Sequence, residues 1–295
     1  MRGEIALIGF GEAGSTFARS SAWGPRARAF DIAPSRADAM SQLSVTACTD
    51  IAEALRGVSL VLSLVTAEQA LPVARACAGL VPADALFCDM NSVSPGPKRA
   101  AARAFTEAGR NYVDVAVMAP VMPACMAVPL NISGPDADEA QRRLQGAGFA
   151  GTTVVGDTIG RASAIKLVRS VMVKGIEALT AEMMLAAGAE GVVDEVLASL
   201  DASEKAAGCT GGWTARADYN LNRMLVHGRR RAAEMAEAAR MLRDLGIDPM
   251  MTDGTVARQR AFGAVGANPP PDGLQAKLAA IAAAKASNAP DIGEN

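Results

Sequence analysis

The stretch EIALIGFGEAGSTFARSSA, residues 4–22, decides the fold. EIALIGF (4–10) is a short apolar run that reads as a buried strand, and GEAGSTFARSSA (11–22) reads as the helix after it. Where they join, Gly9-Phe10-Gly11-Glu12-Ala13-Gly14 forms a GxGxxG run. In that setting each glycine has a task. Gly9 allows the tight turn, Gly11 lets the backbone approach a pyrophosphate, and Gly14 lets the helix pack on the strand. The helix N-terminus then offers N–H groups and a partial positive charge to phosphates. A dinucleotide held along Gly9, Phe10, Gly11, Glu12, Ala13 and Gly14 is the expectation.

Working outward, RARAFD (26–31) is a second strand that ends in Asp31. An acid about 20 residues past the glycines can bind the adenosine ribose hydroxyls, and its charge repels a 2′-phosphate. That favours NAD over NADP; nearby Arg36 softens the preference. Asp31 also reads as an ordinary turn acid. Ser35 with Asp38, Thr66 with Gln69, and Asp136 with Glu139 are expected helix caps, and Asp50 with Glu53 a capping box. Further strands are VT (45–46), VSLVLSLV (58–65), ALFCDM (85–90), NYVDVAVM (111–118), PLNIS (129–133) and TTVV (152–155). Ser94-Pro95 supplies a cap and a first-turn proline for a helix over 95–108. Apolar strands alternating with helices predict an α/β fold, a doubly wound, mostly parallel Rossmann sheet. Ligands bind at the carboxyl ends of such strands. Val65 and Thr66, and then Asn91 and Ser92, are therefore candidates for the nicotinamide-ribose side. Thr66, Asn91 and Ser92 read equally well as cap or loop residues.

After Gly160 strand signals stop. Residues 161–188, 192–207, 213–227, 229–245, 250–263 and 274–287 all read as helices, Gly246 as a helix stop, and GANPPPDG (266–273) as a linker. The chain divides on paper into a dinucleotide-binding domain, 1–158, and an all-helical substrate and dimerisation domain, 159–295, with a disordered tail at 288–295.

Composition narrows the function. A net charge of −2 and 4% aromatic residues argue against nucleic acid as a partner. Five cysteines (Cys48, Cys77, Cys88, Cys125, Cys209) show no metal-type spacing and read as small core residues of a cytoplasmic protein. One histidine, His227, excludes a His-rich metal site, so no metal is expected. No apolar run is long enough to span a bilayer.

With GFGEAG, DMNSVSP, YVDVAV and a long helix bearing AIK, the chain resembles the β-hydroxyacid dehydrogenases related to 6-phosphogluconate dehydrogenase. VHGRRRAAEMAEAARMLRDLGIDPMM resembles the helical C-terminal domain of a bacterial branch described as phosphogluconate-dehydrogenase-like. The resemblance implies that Lys166 is a general acid and that the residue one turn on holds substrate. Relatives carry asparagine there; this chain has Ser170. It also implies a substrate loop at Met118-Ala119-Pro120, where relatives have Ser-Gly-Gly, and a homodimer through the helical domain.

The residues of the helix agree with part of this. Reduction of a carbonyl by hydride leaves an alkoxide that needs a proton, and a partly buried lysine can give one. Lys166, Ser170 and Glu177 form a polar stripe along an apolar helix. Lys174 sits at its edge, either touching substrate or paired with Glu177 or a neighbour. Arg229-Arg230-Arg231 follow Gly228 at what reads as a helix start, where cations oppose the dipole. They, with His227, either meet an anionic substrate or cofactor or form ion pairs and packing contacts. The expected activity is NAD(P)-dependent hydride transfer on a small hydroxy or carbonyl compound. An imine reductase-like activity and a non-catalytic dinucleotide sensor are the alternatives.

Overall fold

The computed structural model describes residues 5–206, 212–267 and 269–287. Cys209 and the tail 288–295 lie outside them, as does part of the 266–273 linker. The chain forms two compact units, residues 1–168 and 169–295.

The first unit is built on one eight-stranded sheet. Its strands are β1 (Ile5–Ile8), β2 (Ala27–Phe30), β3 (Thr46–Ala47), β4 (Leu60–Ser63), β5 (Leu86–Asp89), β6 (Asn111–Val117), β7 (Leu130–Ser133) and β8 (Thr152–Gly156). They lie in the order β3-β2-β1-β4-β5-β6-β7-β8. Alternate residues of the central strands enter different cores. Ile5, Leu7, Leu60, Leu62, Leu86 and Cys88 face one layer, packed with Phe17, Trp23 and Phe149. Ala6, Ile8, Val61 and Phe87 face the other, packed with Leu55, Phe105 and Tyr112. Both faces are covered, which is why these strands carry no polar alternation. Helices α1 (Glu12–Ser20), α2 (Ala37–Gln42), α3 (Ile51–Leu55), α4 (Ala67–Ala78), α5 (Pro95–Glu107) and α6 (Ala137–Gly146) connect the strands.

The sheet departs from a wholly parallel one at β7, which runs antiparallel to β6, with β8 parallel to β7. The connection over 118–129 holds a 3₁₀ turn (Cys125–Ala127) and no α-helix. A parallel neighbour needs a crossover, usually helical, and an antiparallel one does not. Four expected caps also differ. Ser35 lies in a 3₁₀ turn (Pro34–Arg36) that leads into α2 and caps nothing. Thr66, Ser94 and Asp136 occupy N-cap positions, yet none of these side chains bonds the first turn of its helix. The Asp50 box forms in part: Asp50 accepts the Glu53 N–H at 2.7 Å, while Glu53 reaches past Asp50 to the Thr49 N–H at 2.7 Å.

The long helix α7 (Arg161–Glu190) passes from the first unit into the second. The boundary falls inside it because its first turn is bonded into the sheet. Ser133 Oγ accepts the Ala162 N–H at 3.0 Å, and Asp114 accepts the Ser163 N–H at 3.0 Å.

The second unit adds α8 (Val193–Ala206), α9 (Trp213–Asp244), α10 (Met250–Val265) and α11 (Leu274–Ser287). Its core gathers Met184, Leu197, Leu221, Met224, Phe262 and Ile281. Two helices expected over 213–227 and 229–245 are one. Gly228 is not a break but a crossing point: a β-carbon there would stand 2.6 Å from the Gly263 nitrogen of α10. Gly263 mirrors it, its β-carbon position lying 2.5 Å from the Arg229 nitrogen. The dipole argument for Arg229, Arg230 and Arg231 therefore fails, because they stand mid-helix. Gly228→Ala gains ~1 kcal/mol of helix propensity but forces these backbones apart, at a cost of about 1–3 kcal/mol. A fall in thermal midpoint is expected; an unchanged one would refute the close crossing.

Candidate functional site

The order of the sheet reverses between β1 and β4, and the turns after these two strands meet there. Gly9 has φ +97°, and a β-carbon on it would lie 2.5 Å from the Leu64 carbonyl oxygen and 3.2 Å from Val65 Cγ1. Gly14 is as tightly held: its β-carbon position is 2.6 Å from the Gly9 carbonyl oxygen. Gly11 differs, since nothing in the protein lies within 4 Å of its β-carbon position. The fold alone thus requires Gly9 and Gly14, while the space over Gly11 is open to a ligand. Gly11, which has no side chain to cap the helix, is the N-cap of α1. Its first-turn N–H groups suit an anion. Phe10 is buried, Ala13 half-buried and Glu12 exposed.

Asp31 Oδ2 accepts the Phe10 N–H at 2.6 Å and Oδ1 accepts the Ala33 N–H at 2.8 Å. The carboxylate is thereby fixed to the glycine-rich turn, half-exposed, with free lone pairs for hydroxyl donors. Arg36 is exposed beyond it. Val65 and Thr66 follow β4, Thr66 exposed. The residues present fit a dinucleotide.

The other arm of the site follows β5. Asn91 is buried, its Nδ2 donating to Ser63 Oγ at 3.0 Å and to Asp89 Oδ1 at 2.7 Å, while its Oδ1 has no partner. Ser92 Oγ accepts a hydrogen bond from Lys166 Nζ. Two sequence candidates, one from the β5 turn and one from α7, are thus in direct contact.

Beneath them lies a cluster that sequence reasoning missed. Asp89 and Asp114 are paired residues on neighbouring strands, both buried. Lys98, fully buried on α5, sits between them at 2.9 Å and 3.3 Å and also donates to the Asp89 carbonyl at 2.7 Å. Tyr112 donates to Asp89 Oδ2 at 2.7 Å. Ser163 Oγ donates to Asp114 Oδ1 at 2.7 Å, and Ser133 Oγ to Oδ2 at 3.2 Å. Burial, then the Asp89 charge, pushes the Tyr112 phenol well above its ordinary value of 10.0, so it stays a donor. The signal was partly present: Asp89 ends the apolar β5 and Asp114 lies in the middle of the apolar β6, and such buried acids call for a cation; Lys98 lies on the buried face of α5 with Ala101 and Phe105.

Met118-Ala119-Pro120 lies at the end of β6. The Met118 N–H donates to the Pro129 carbonyl at 2.8 Å, and proline has no N–H. Of the three, Ala119 keeps its backbone donor for a ligand. Among the cysteines, Cys77 and Cys88 are buried, their thiols pushed up to about 12 by burial. Cys48 and Cys125 are half-buried.

In the helical unit, Ser170 and Lys174 are buried and in contact, Nζ to Oγ at 3.3 Å. Lys174 pairs with Glu234 at 2.6 Å, so its partner is not Glu177. Glu177 instead accepts from Arg231 of α9 and from Gln259 Nε2 at 3.0 Å. One of the three consecutive arginines is therefore committed to a buried pair. Burial, then the Arg231 charge, lowers the half-buried Arg223 guanidinium below its usual range. His227 is half-buried in mid-helix, one turn beyond Arg223. Among the described residues no cluster of metal-binding side chains occurs, and no helix is long and apolar enough to cross a membrane.

Residues 4–140 match the NAD binding domain of 6-phosphogluconate dehydrogenase, and residues 187–262 match a domain of unknown function, DUF1932. A conserved hypothetical protein from Sinorhizobium meliloti 1021 is 33% identical, with a TM-score of 0.75 over 96% of this chain and 97% of that one. MTH1747, a conserved protein of unknown function described as structurally similar to 3-hydroxyacid dehydrogenases, is 29% identical, with a TM-score of 0.69 over 88% of this chain and 97% of that one. An imine reductase from Myxococcus stipitatus in complex with NAD+ is 18% identical and shares the fold, with a TM-score of 0.58 over 96% of this chain and 100% of its own.

Proposed function

The chain belongs to the β-hydroxyacid dehydrogenase superfamily related to 6-phosphogluconate dehydrogenase, and from that premise we propose that it reduces or oxidises a small hydroxy or carbonyl compound with Lys166 as proton donor and acceptor. The Lys166–Ser92 contact carries this reading. It sets an ammonium group at the end of the sheet where the cofactor-side turns converge. The N-terminal unit is an NAD(P)-binding domain. When bound, the nicotinamide supplies or takes the hydride. The glycine-rich turn would hold the pyrophosphate, Asp31 the adenosine ribose, and Val65, Thr66, Asn91 and Ser92 the nicotinamide side. Lys166 gives its proton to the oxygen of the reduced carbon and recovers it in the reverse direction.

Ser170, the next turn along α7, is the substrate-orienting residue that the resemblance implies, and Lys174 donates to its hydroxyl at 3.3 Å. His227 is the remaining candidate for a substrate contact on α9. The Met118-Ala119-Pro120 loop offers too few N–H groups to grip a carboxylate as a Ser-Gly-Gly loop does. A simple 3-hydroxy acid is therefore not the favoured substrate, and a panel of hydroxy acids, alcohols, carbonyls and cyclic imines tests this. Turnover confined to cyclic imines would establish the runner-up, to which the shared fold of the imine reductase points.

Asp31 should set cofactor choice. Asp31→Ser removes the charge facing a 2′-phosphate, so the NADP-to-NAD affinity ratio is expected to rise about tenfold or more. Fluorescence titration with NADH and NADPH measures it, and an unchanged ratio would remove Asp31 from the ribose site.

The helix α7 also carries an exposed apolar stripe: Ile165, Val168, Met172, Ile176 and Leu179, spaced by three and four residues. Such a stripe calls for a partner, and a second copy of the chain is the occupant that the resemblance implies. Met172→Glu with Ile176→Glu is expected to convert a dimer to a monomer in sedimentation equilibrium. A wild-type monomer would sink the assembly.

A further inference from the structure

The contacts around Lys98 close into a ring. Lys98 Nζ bonds Asp89; Asp89 accepts the Asn91 N–H at 3.0 Å and its side-chain amide at 2.7 Å. That fixes the turn bearing Ser92. On the other side Lys98 meets Asp114, which accepts both the backbone N–H and the hydroxyl of Ser163. That fixes the first turn of α7, and Lys166 follows one turn later. Lys166 then bonds Ser92 and completes the circuit. Every member belongs to residues 1–168, a single compact unit.

The charges explain why the ring needs its centre. Asp89 and Asp114 are directly paired across β5 and β6 and have almost no exposure to water. Two adjacent carboxylates so buried repel one another, and a cation between them offsets that repulsion. Lys98 supplies it with no exposure of its own. It donates to the Asp89 carbonyl at 2.7 Å and lies at ion-pair distance from one oxygen of each carboxylate, 2.9 Å and 3.3 Å. An ammonium so enclosed is a rigid spacer between the strand β5 turn and the N-terminus of α7.

We propose that Lys98 is a positioning residue for the active site: through Asp89 and Asp114 it sets the separation of Ser92 from Lys166. The inference rests on the reading of Lys166 as the proton-transfer group, but its own content is a mechanical and electrostatic coupling within the sheet unit. Lys98 itself touches neither substrate nor cofactor. Its replacement acts by releasing the two elements that carry Ser92 and Lys166.

The coupling can be read without substrate or dinucleotide. Competitive acylation of the full-length protein across pH, followed by peptide mass spectrometry, gives the titration midpoint of each lysine. In the wild type, Ser92→Ala removes an acceptor from the Lys166 ammonium, and its midpoint should fall by about half a unit to one unit, with Lys174 unmoved. In Lys98→Met, an apolar side chain of similar length, the Ser92→Ala effect on Lys166 should vanish. Ser163→Ala, a milder cut that keeps the Ser163 N–H bond to Asp114, should reduce that effect by about half and serves if Lys98→Met does not fold. A merely structural lysine would lower thermal stability and leave the Ser92–Lys166 coupling intact in whatever folds. The proposal is overturned if Ser92→Ala shifts Lys166 equally in wild type and in the cut ring, or if it shifts nothing in the wild type. Absence of turnover on every substrate would count against the proposed reaction and leave this coupling standing or falling on its own measurement.

Discussion

Lys166→Ala is expected to lower turnover by two to four orders of magnitude while dinucleotide affinity stays within about twofold, the range for losing a positioned general acid. The expectation follows from where the ammonium sits. Lys166 Nζ is fixed by Ser92 at the end of β5 and is not part of the glycine-rich turn that receives the pyrophosphate. Its removal takes away the proton source without disturbing Gly9 to Gly14. Lys166→Arg keeps the charge but holds its protons too tightly to give one at neutral pH, so it should behave nearly as poorly. Steady-state rates on whichever substrate of the panel is turned over, paired with a dinucleotide titration, check both halves. Retained turnover in Lys166→Ala would assign the proton transfer elsewhere. Equal loss of rate and dinucleotide affinity would make Lys166 a binding residue.

Gly9→Ala and Gly11→Ala should separate two kinds of glycine. At Gly9 a methyl would stand 2.5 Å from the Leu64 carbonyl oxygen, on a backbone with φ +97°. Backbone must move, so a loss of several kcal/mol is expected, about 3 or more from strain and overpacking together. Dinucleotide binding would be lost with it. At Gly11 the methyl meets no protein atom, so thermal stability should change by less than about 1 kcal/mol. The same methyl projects where the pyrophosphate must approach, and affinity should fall at least about tenfold. Parallel thermal melts and fluorescence titrations decide it. A Gly11→Ala protein that binds normally would place the phosphates somewhere other than over this turn.

The first 20 residues made the fold legible because two local rules agreed there. An apolar run and a glycine spacing that suits a strand-to-helix turn occur together, and β1, Gly9 and α1 lie as those rules require. The antiparallel β7 was less legible, since apolar strands look alike in either direction and only the missing crossover helix distinguishes them. Gly228 misled for a related reason. A glycine inside a helical pattern can mark a stop or a close crossing, and its partner Gly263 lies 35 residues away in sequence. The candidate site was legible residue by residue but not as a network. Lys166, Ser92 and Asn91 were each visible, whereas nothing in the local sequence singled out Lys98. Its role depends on β5 and β6 being neighbours in register, which no local window reveals. Lys174 shows another case: a lysine in an apolar helix read as a substrate contact or as a paired group, and the structure gives it Glu234 and Ser170 as partners.

The central claim is that this chain works on a nicotinamide dinucleotide bound over Gly11. Titration of the wild-type protein with NADH and with NADPH, read by the nicotinamide fluorescence, tests it most directly. Saturable binding is expected for at least one of them, tighter for NADH because of Asp31, and weakened by Gly11→Ala. No saturable binding of either dinucleotide by folded protein would contradict the account.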